Sequence, residues 1–113
     1  MDENTKQKIQ EIRVLEHNLQ QVLMQKQAME LELNETLNAI QELYASKDKE
    51  VYKMMGSIML KASHSKVSAE LEEKKKILEI RVQALEKQQR ILESKGKELH
   101  EEIKKSLKTE DKN

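Results

Sequence analysis

The chain has 113 residues, which is room for one domain, and its composition does not suit an ordinary globular core. Charged residues make up 37% of it and apolar residues 36%, while Tyr44 and Tyr52 are its only aromatic residues. Such a composition is typical of a disordered chain or of a long-helix protein, and the absence of proline favours helix.

Charge and cysteine content argue against several classes of protein. Lysine and arginine together number 21, as do aspartate and glutamate, so no net field attracts nucleic acid. The absence of cysteine fits a reducing compartment. The longest apolar run, Ile58 to Leu60, is far too short to span a membrane, and the acidic N-terminus is unlike a signal peptide. We therefore expect a cytoplasmic protein that binds neither nucleic acid nor membranes.

The first segment is predicted to form a helix over about residues 5–45. Its apolar residues recur in alternating steps of three and four, the pattern of a coiled-coil seam, by which we mean the row of side chains that faces a partner helix. Asn4 or Thr5 is expected to cap its start. The row consists of Ile12, Leu15, Leu19, Val22, Lys26, Met29, Leu33, Thr36, Ile40 and Leu43.

The last segment is predicted to form a second helix over about residues 64–108. Ser63 or Ser65 can cap its start, and lysines near its end suit the negative end of the helix dipole. One seam row is regular, with Leu71, Leu78, Leu85, Leu92 and Leu99 at seven-residue spacing. The companion row is weaker, since it includes Lys75, Gln89 and Gly96.

The two helices are predicted to pair with each other in antiparallel fashion. Each is about 60 Å long and would leave its leucine row in water if it stood alone, and a short linker makes the other helix its nearest partner. The favoured register puts Leu15 beside Gly96 and Thr36 beside Lys75. A neighbouring register would put Leu15 beside Ile103 instead. The expected fold is mostly α: an antiparallel two-helix coiled coil with a single β-hairpin between the helices.

The hairpin is predicted over about residues 51–62, where the seam pattern stops. Two runs of strand-forming residues flank Gly56-Ser57, which suits a two-residue type II′ turn, so Met55 should pair with Ile58. The alternative is a helical loop, because Met and Leu also suit helices.

Both faces of this predicted hairpin are mostly apolar. A lone two-stranded hairpin is marginal in water, and its open edges invite pairing with other strands. The seam side chains of each helix are expected to pack against the other helix, so they are not available to cover the hairpin. Other subunits must therefore cover it. The predicted subunit interface consists of Val51, Tyr52, Met54, Met55, Ile58, Met59 and Leu60.

Catalytic and metal sites find no support in the sequence. His17, His64 and His100 are scattered and lack metal-binding spacing, and Gly56 and Gly96 are too few for a phosphate loop. Acidic pairs on an exposed helix face lack the burial that tunes catalytic carboxylates. We expect no enzyme, no cofactor and no metal.

A DNA-binding leucine zipper is also a poor fit. The one basic triplet, Lys74–Lys76, lies inside the heptads beside acidic residues.

With these residues in view, the chain resembles the β-type subunits of archaeal-like prefoldin over nearly its whole length. The resemblance is carried by Gln25–Gln27 in the first helix, Glu50–Lys61 in the hairpin and Leu78–Leu85 in the second helix. The hairpin run looks like the family's tyrosine-lysine, glycine and lysine signature. A proline often found near the family's N-terminus is absent here.

The resemblance implies a hexamer of two α-type and four β-type subunits, in which the hairpins combine into β-barrels and six coiled coils project from them. It also implies that the ends of these arms hold unfolded polypeptide without ATP and pass it to a group II chaperonin.

The residues that would hold such clients are the apolar ones near the ends of the chain, furthest in sequence from the hairpin. They are Ile9, Ile12, Leu99, Ile103 and Leu107. For Ile12 and Leu99, completion of the coiled coil explains the residue equally well. The alternative function is a structural coiled-coil adaptor without chaperone activity.

Overall fold

The computed structural model describes residues 2–111, and the side chains of residues 2–109. Two long helices, α1 (Glu3–Ala45) and α2 (His64–Asp111), are separated by two strands, β1 (Glu50–Met55) and β2 (Ile58–Ser63). The strands pair in antiparallel fashion as one two-stranded sheet. The predicted fold of two helices around a single hairpin is confirmed, and the helical-loop alternative is excluded.

Helix α1 begins earlier than the sequence indicated. Asp2 caps it: the Thr5 N–H donates to Asp2 Oδ1 at 2.7 Å, and the Lys6 N–H donates to the Asp2 carbonyl at 3.1 Å. Hydrogen bonding by the Thr5 side chain, and then by its backbone N–H, holds the pKa of the Asp2 carboxyl below its ordinary value. The expectation that Asn4 or Thr5 would be the cap is wrong, because an acidic side chain one turn ahead accepts the free N–H more directly.

One of the two serines predicted to cap helix α2 does so. The Lys66 N–H donates to Ser63 Oγ at 3.2 Å, so Ser63 is the cap rather than Ser65. The His64 N–H donates to the Lys49 carbonyl at 2.8 Å, which connects the start of α2 to the residue before β1.

The described chain divides into two compact units. The terminal unit contains residues 2–27 and 83–111, and the hairpin unit contains residues 28–82. Each unit therefore holds a stretch of α1 and a stretch of α2.

In the terminal unit the seam has the favoured register. Leu15 Cδ2 lies 3.3 Å from the point that a Cβ on Gly96 would occupy, so a large side chain packs directly over the glycine. Leu15 and Ile12 are buried there. The register that would place Leu15 beside Ile103 is excluded.

Two polar seam residues of the terminal unit satisfy each other. Lys26 Nζ donates to Gln89 Oε1 at 3.0 Å, and Gln89 Nε2 donates to Glu93 Oε1 at 2.7 Å. Both Lys26 and Gln89 are half-buried. A half-buried polar group without a partner would be costly, so this chain of bonds explains how the seam tolerates both side chains.

In the hairpin unit the seam is more apolar. Its buried side chains include Ile40, Leu43, Leu78 and Val82, each contributing about 1.5–3 kcal/mol by leaving water. Thr36 is also buried, and its Oγ1 donates to the Glu32 carbonyl one turn earlier at 2.8 Å. That bond satisfies the hydroxyl within its own helix.

The contact between Leu15 and Gly96 leads to the first prediction. Gly96→Leu should lower the free energy of unfolding by about 1–3 kcal/mol, because its side chain must displace Leu15. Gly96→Ala is the matched control. The better helix propensity of alanine, worth about 1 kcal/mol, offsets a contact that Leu15 can relieve by a small shift, so the net change should stay within about 1 kcal/mol. Urea unfolding followed by circular dichroism measures both, and equal stability of the two variants would contradict the register.

Candidate functional site

The hairpin turn forms as the sequence predicts. Gly56 has a φ of 63°, and none of the described non-glycine residues has a positive φ. A type I′ turn would need positive φ at Ser57 as well, so the turn is type II′. Met55 pairs with Ile58 and Met54 with Met59, as expected.

Both faces of the hairpin carry exposed apolar side chains. Cross-strand partners share a face, so Tyr52, Met54 and Met59 lie on one face, and Met55, Ile58 and Leu60 on the other. Their exposed fractions run from 45% for Leu60 to 66% for Tyr52. Of the seven predicted interface residues, Val51 alone is half-buried. A sheet of two strands with such faces buries too little apolar surface to be stable alone.

One polar contact holds the hairpin to a helix of its own unit, and another joins the two helix ends beside it. Lys53 Nζ donates to Glu70 Oε2 on α2 at 2.9 Å, and this bond lowers the pKa of the Glu70 carboxyl. His64 Nε2–H donates to the Leu43 carbonyl at the end of α1 at 2.6 Å. The first bond ties the middle of β1 to α2, and the second ties the start of α2 to the end of α1, while six apolar side chains of the hairpin remain exposed.

The bond between Lys53 and Glu70 gives a prediction about pH. Since the pKa of Glu70 is lowered in the folded state, the stability that the pair contributes is complete above the ordinary glutamate pKa and is lost as pH falls through the lowered value. An NMR titration should show Glu70 with a lowered pKa, and Lys53→Met should raise it toward the ordinary value. Lys61→Met is the control, because it breaks the ion pair between Lys61 and Glu50, 3.1 Å apart, and should leave Glu70 unchanged. If the pKa of Glu70 is the same in Lys53→Met as in the unmodified protein, Lys53 and Glu70 do not form this contact in solution.

The terminal unit contains an open groove between α1 and α2. Its volume is about 800 Å³. Four apolar side chains lie along it, Val14 and Leu15 from α1 and Leu92 and Leu99 from α2. The remaining lining residues are Gln7, Gln10, Glu11, Asn18, Lys95, Glu98 and Glu102.

The helical repeat explains why these residues share one groove. On each helix the lining residues recur at intervals of three and four positions, in places as adjacent pairs, so they fall on one side of it. Apolar side chains in the groove can pack against apolar side chains of another polypeptide. The polar side chains around them can form hydrogen bonds and charge interactions with it. The groove therefore has the chemistry of a polypeptide-binding surface.

The structure separates the five predicted client-binding residues. Leu99 lines the groove, Ile9 and Ile103 are half-buried, and Leu107 is 38% exposed. Ile12 is only 7% exposed and lies in the seam, so it cannot touch a client while the helices are paired. The interpretation of Ile12 as part of the coiled coil, which the sequence left open, describes its place in the structure.

Sequence reasoning did not identify Val14, and it treated Leu92 only as a seam residue. Val14 is 53% exposed, although it stands next to a buried leucine in sequence. No signal in the sequence marks Val14, because its place beside the seam leucine Leu15 gives no indication of which side chains the two helices leave uncovered.

Over residues 2–111, neither helix has a stretch long and apolar enough to cross a membrane.

Comparison with known proteins places these features in a family. Residues 6–110 match the model of the prefoldin subunit family. The chain belongs to that family. A prefoldin subunit beta of Thermococcus kodakarensis is 40% identical over 94 residues, covering 82% of this chain and 80% of the relative. The prefoldin subunit beta of Caldivirga maquilingensis is 34% identical over 97 residues, covering 85% of this chain and 80% of that one.

The same family appears among solved structures. The crystal structure of the prefoldin beta subunit from Thermococcus strain KS-1 matches with a TM-score of 0.87 at 36% identity, covering 94% of each chain. Prefoldin subunits are chaperones rather than enzymes. The chain is accordingly a chaperone subunit of a hetero-oligomeric prefoldin complex.

Proposed function

We propose that this prefoldin subunit is an ATP-independent holdase that works in the cytoplasm. It assembles with α-type and further β-type subunits into a hexamer of two α and four β chains, binds unfolded polypeptides in its terminal unit and delivers them to a group II chaperonin. The observation that carries the proposal is the presence of two separate uncovered apolar surfaces, the hairpin and the groove. A structural adaptor needs neither of them once its helices have paired.

Assembly is assigned to the hairpin. Its six exposed apolar side chains lie on both faces, and each strand has one unpaired edge within the described chain. Strands from neighbouring subunits can pair with those edges, and closure into a barrel removes every edge while it covers one face. Six hairpins supply twelve strands, enough for more than one such sheet.

Client binding is assigned to the groove, together with Ile9, Ile103 and Leu107 near the chain ends. These surfaces are small, so one subunit holds a client weakly. Several subunits that bind one unfolded chain add their contributions, because each further contact is intramolecular. Weak individual contacts also allow a client to leave stepwise for a chaperonin without energy from ATP.

The assembly role predicts the effect of a charge on the hairpin. Ile58→Lys should prevent incorporation into the hexamer, because a lysine buried in an intersubunit sheet has no partner and costs several kcal/mol. Ile80→Lys is the matched control, since Ile80 on α2 is 66% exposed and Ile58 is 60% exposed. Native mass spectrometry with an α-type partner present measures assembly. If Ile58→Lys still assembles into a normal hexamer, the hairpin does not form the subunit interface.

The client role predicts a loss of holding activity without a loss of assembly. Val14→Ser in every copy should weaken binding of a denatured client by roughly three- to tenfold, since it removes apolar surface from the groove. Ile91→Ser is the control, because Ile91 is 52% exposed in the same unit and does not line the groove. Light scattering of an aggregating client, with the hexamer verified by native mass, measures the effect.

The outcomes of that experiment separate the alternatives. If the Val14→Ser complex suppresses client aggregation as well as the unmodified complex, the groove is not part of the client-binding site. A further variant with Ile9, Ile103 and Leu107 all changed to Ser tests the chain-end residues. An assembled complex that never suppresses aggregation would favour the adaptor function.

A further inference from the structure

The groove of the terminal unit has more negative than positive charge along its rim. Three lining residues are glutamates, Glu11, Glu98 and Glu102, and one is a lysine, Lys95. Glu102 is paired with Lys8, its carboxylate 3.5 Å from Lys8 Nζ. Within the described chain, neither Glu11 nor Glu98 has an ion-pair partner. Of the residues that line the groove, two carboxylates without an ion pair, one from each helix, therefore stand against one ammonium group in the count of charges.

The length of the groove limits what it can hold. On α1 the lining runs from Gln7 to Asn18, which is about 16 Å at the rise of an α-helix. An extended polypeptide advances about 3.3 Å per residue, so about five of its residues fit along the groove. The flanking residues of such a segment then leave the groove near the charged rim.

Amide side chains add a second element of recognition. Gln7, Gln10 and Asn18 line the α1 side, and each amide can both donate and accept a hydrogen bond. An extended segment of an unfolded chain has backbone N–H and C=O groups without partners, whereas a folded helix has already paired them. The amides therefore favour an extended occupant.

We propose that this groove selects short extended apolar segments of about five residues that are flanked by lysine or arginine. The inference rests on the proposed holdase function and specifies which parts of a client the site holds. Apolar residues of the segment pack on Val14, Leu92 and Leu99, and the basic flanks approach Glu11 and Glu98. Because these carboxylates are solvent-exposed, the preference for basic flanks weakens as salt screens it.

Matched peptides test the preference on the assembled complex. Three fluorescent peptides share a core of five apolar residues and differ only in their flanks, two lysines, two serines or two glutamates on each side. Fluorescence anisotropy at low salt should show the lysine-flanked peptide binding at least about threefold tighter than the glutamate-flanked one. The difference should shrink at high salt, a test that needs no variant.

A pair of isosteric substitutions then locates the preference. Glu11→Gln with Glu98→Gln should abolish the difference in affinity between the lysine and glutamate peptides, and that difference is the quantity compared between variants. Glu16→Gln with Glu86→Gln is the control for net charge, because both residues lie in the same unit outside the groove, and it should preserve the difference.

Each outcome decides a different question. Equal binding of the lysine and glutamate peptides would overturn the charge preference and leave the holdase function standing. Suppression of client aggregation without binding of any peptide would overturn the groove as the site. Failure of both would reject the holdase function itself. Self-association through the groove, seen as concentration-dependent mass above the hexamer that Val14→Ser removes, would identify a second copy of the chain as the occupant instead.

Discussion

The structure depends on burial of one narrow row of side chains on each helix. With 37% charged residues and two tyrosines as its only aromatic residues, the chain has no other way to remove enough apolar surface from water. The row also contains residues that do not suit burial, and each is accommodated in its own way. Lys26 and Gln89 bond to each other, Thr36 bonds to its own helix, and Gly96 accepts the bulk of Leu15.

The missing side chain of Gly96 aligns the two helices of the terminal unit. It fixes the register of the terminal unit, because Leu15 can lie over it only when the helices are aligned in one way. A glycine inside a helix lowers the stability of the helix by about 1 kcal/mol relative to alanine. A favourable effect on packing would offset this loss. The fixed register is such an effect.

The sequence predicted the elements well because their signals are local and periodic. The seven-residue leucine spacing gave α2, and Gly56-Ser57 gave the turn and the pairing of Met55 with Ile58. The cap at Asp2 was missed because several acceptors stand near the start of α1, and only geometry shows which one reaches the Thr5 N–H. Val14 was missed for a related reason: a groove depends on which side chains two helices leave uncovered, and neither helix alone carries that information.

The two apolar surfaces are uncovered for different physical reasons. The hairpin cannot cover itself, because this two-stranded sheet has exposed apolar residues on both of its faces. The contact between Lys53 and Glu70 ties β1 to α2 but leaves those residues exposed. Its exposed residues are large and lie close together, which suits a permanent interface. The groove is bordered by amides and carboxylates and offers only four apolar side chains, so it suits contacts that form and break. A stable assembly that holds its clients transiently requires both kinds of surface, and this chain places them in separate units of one fold.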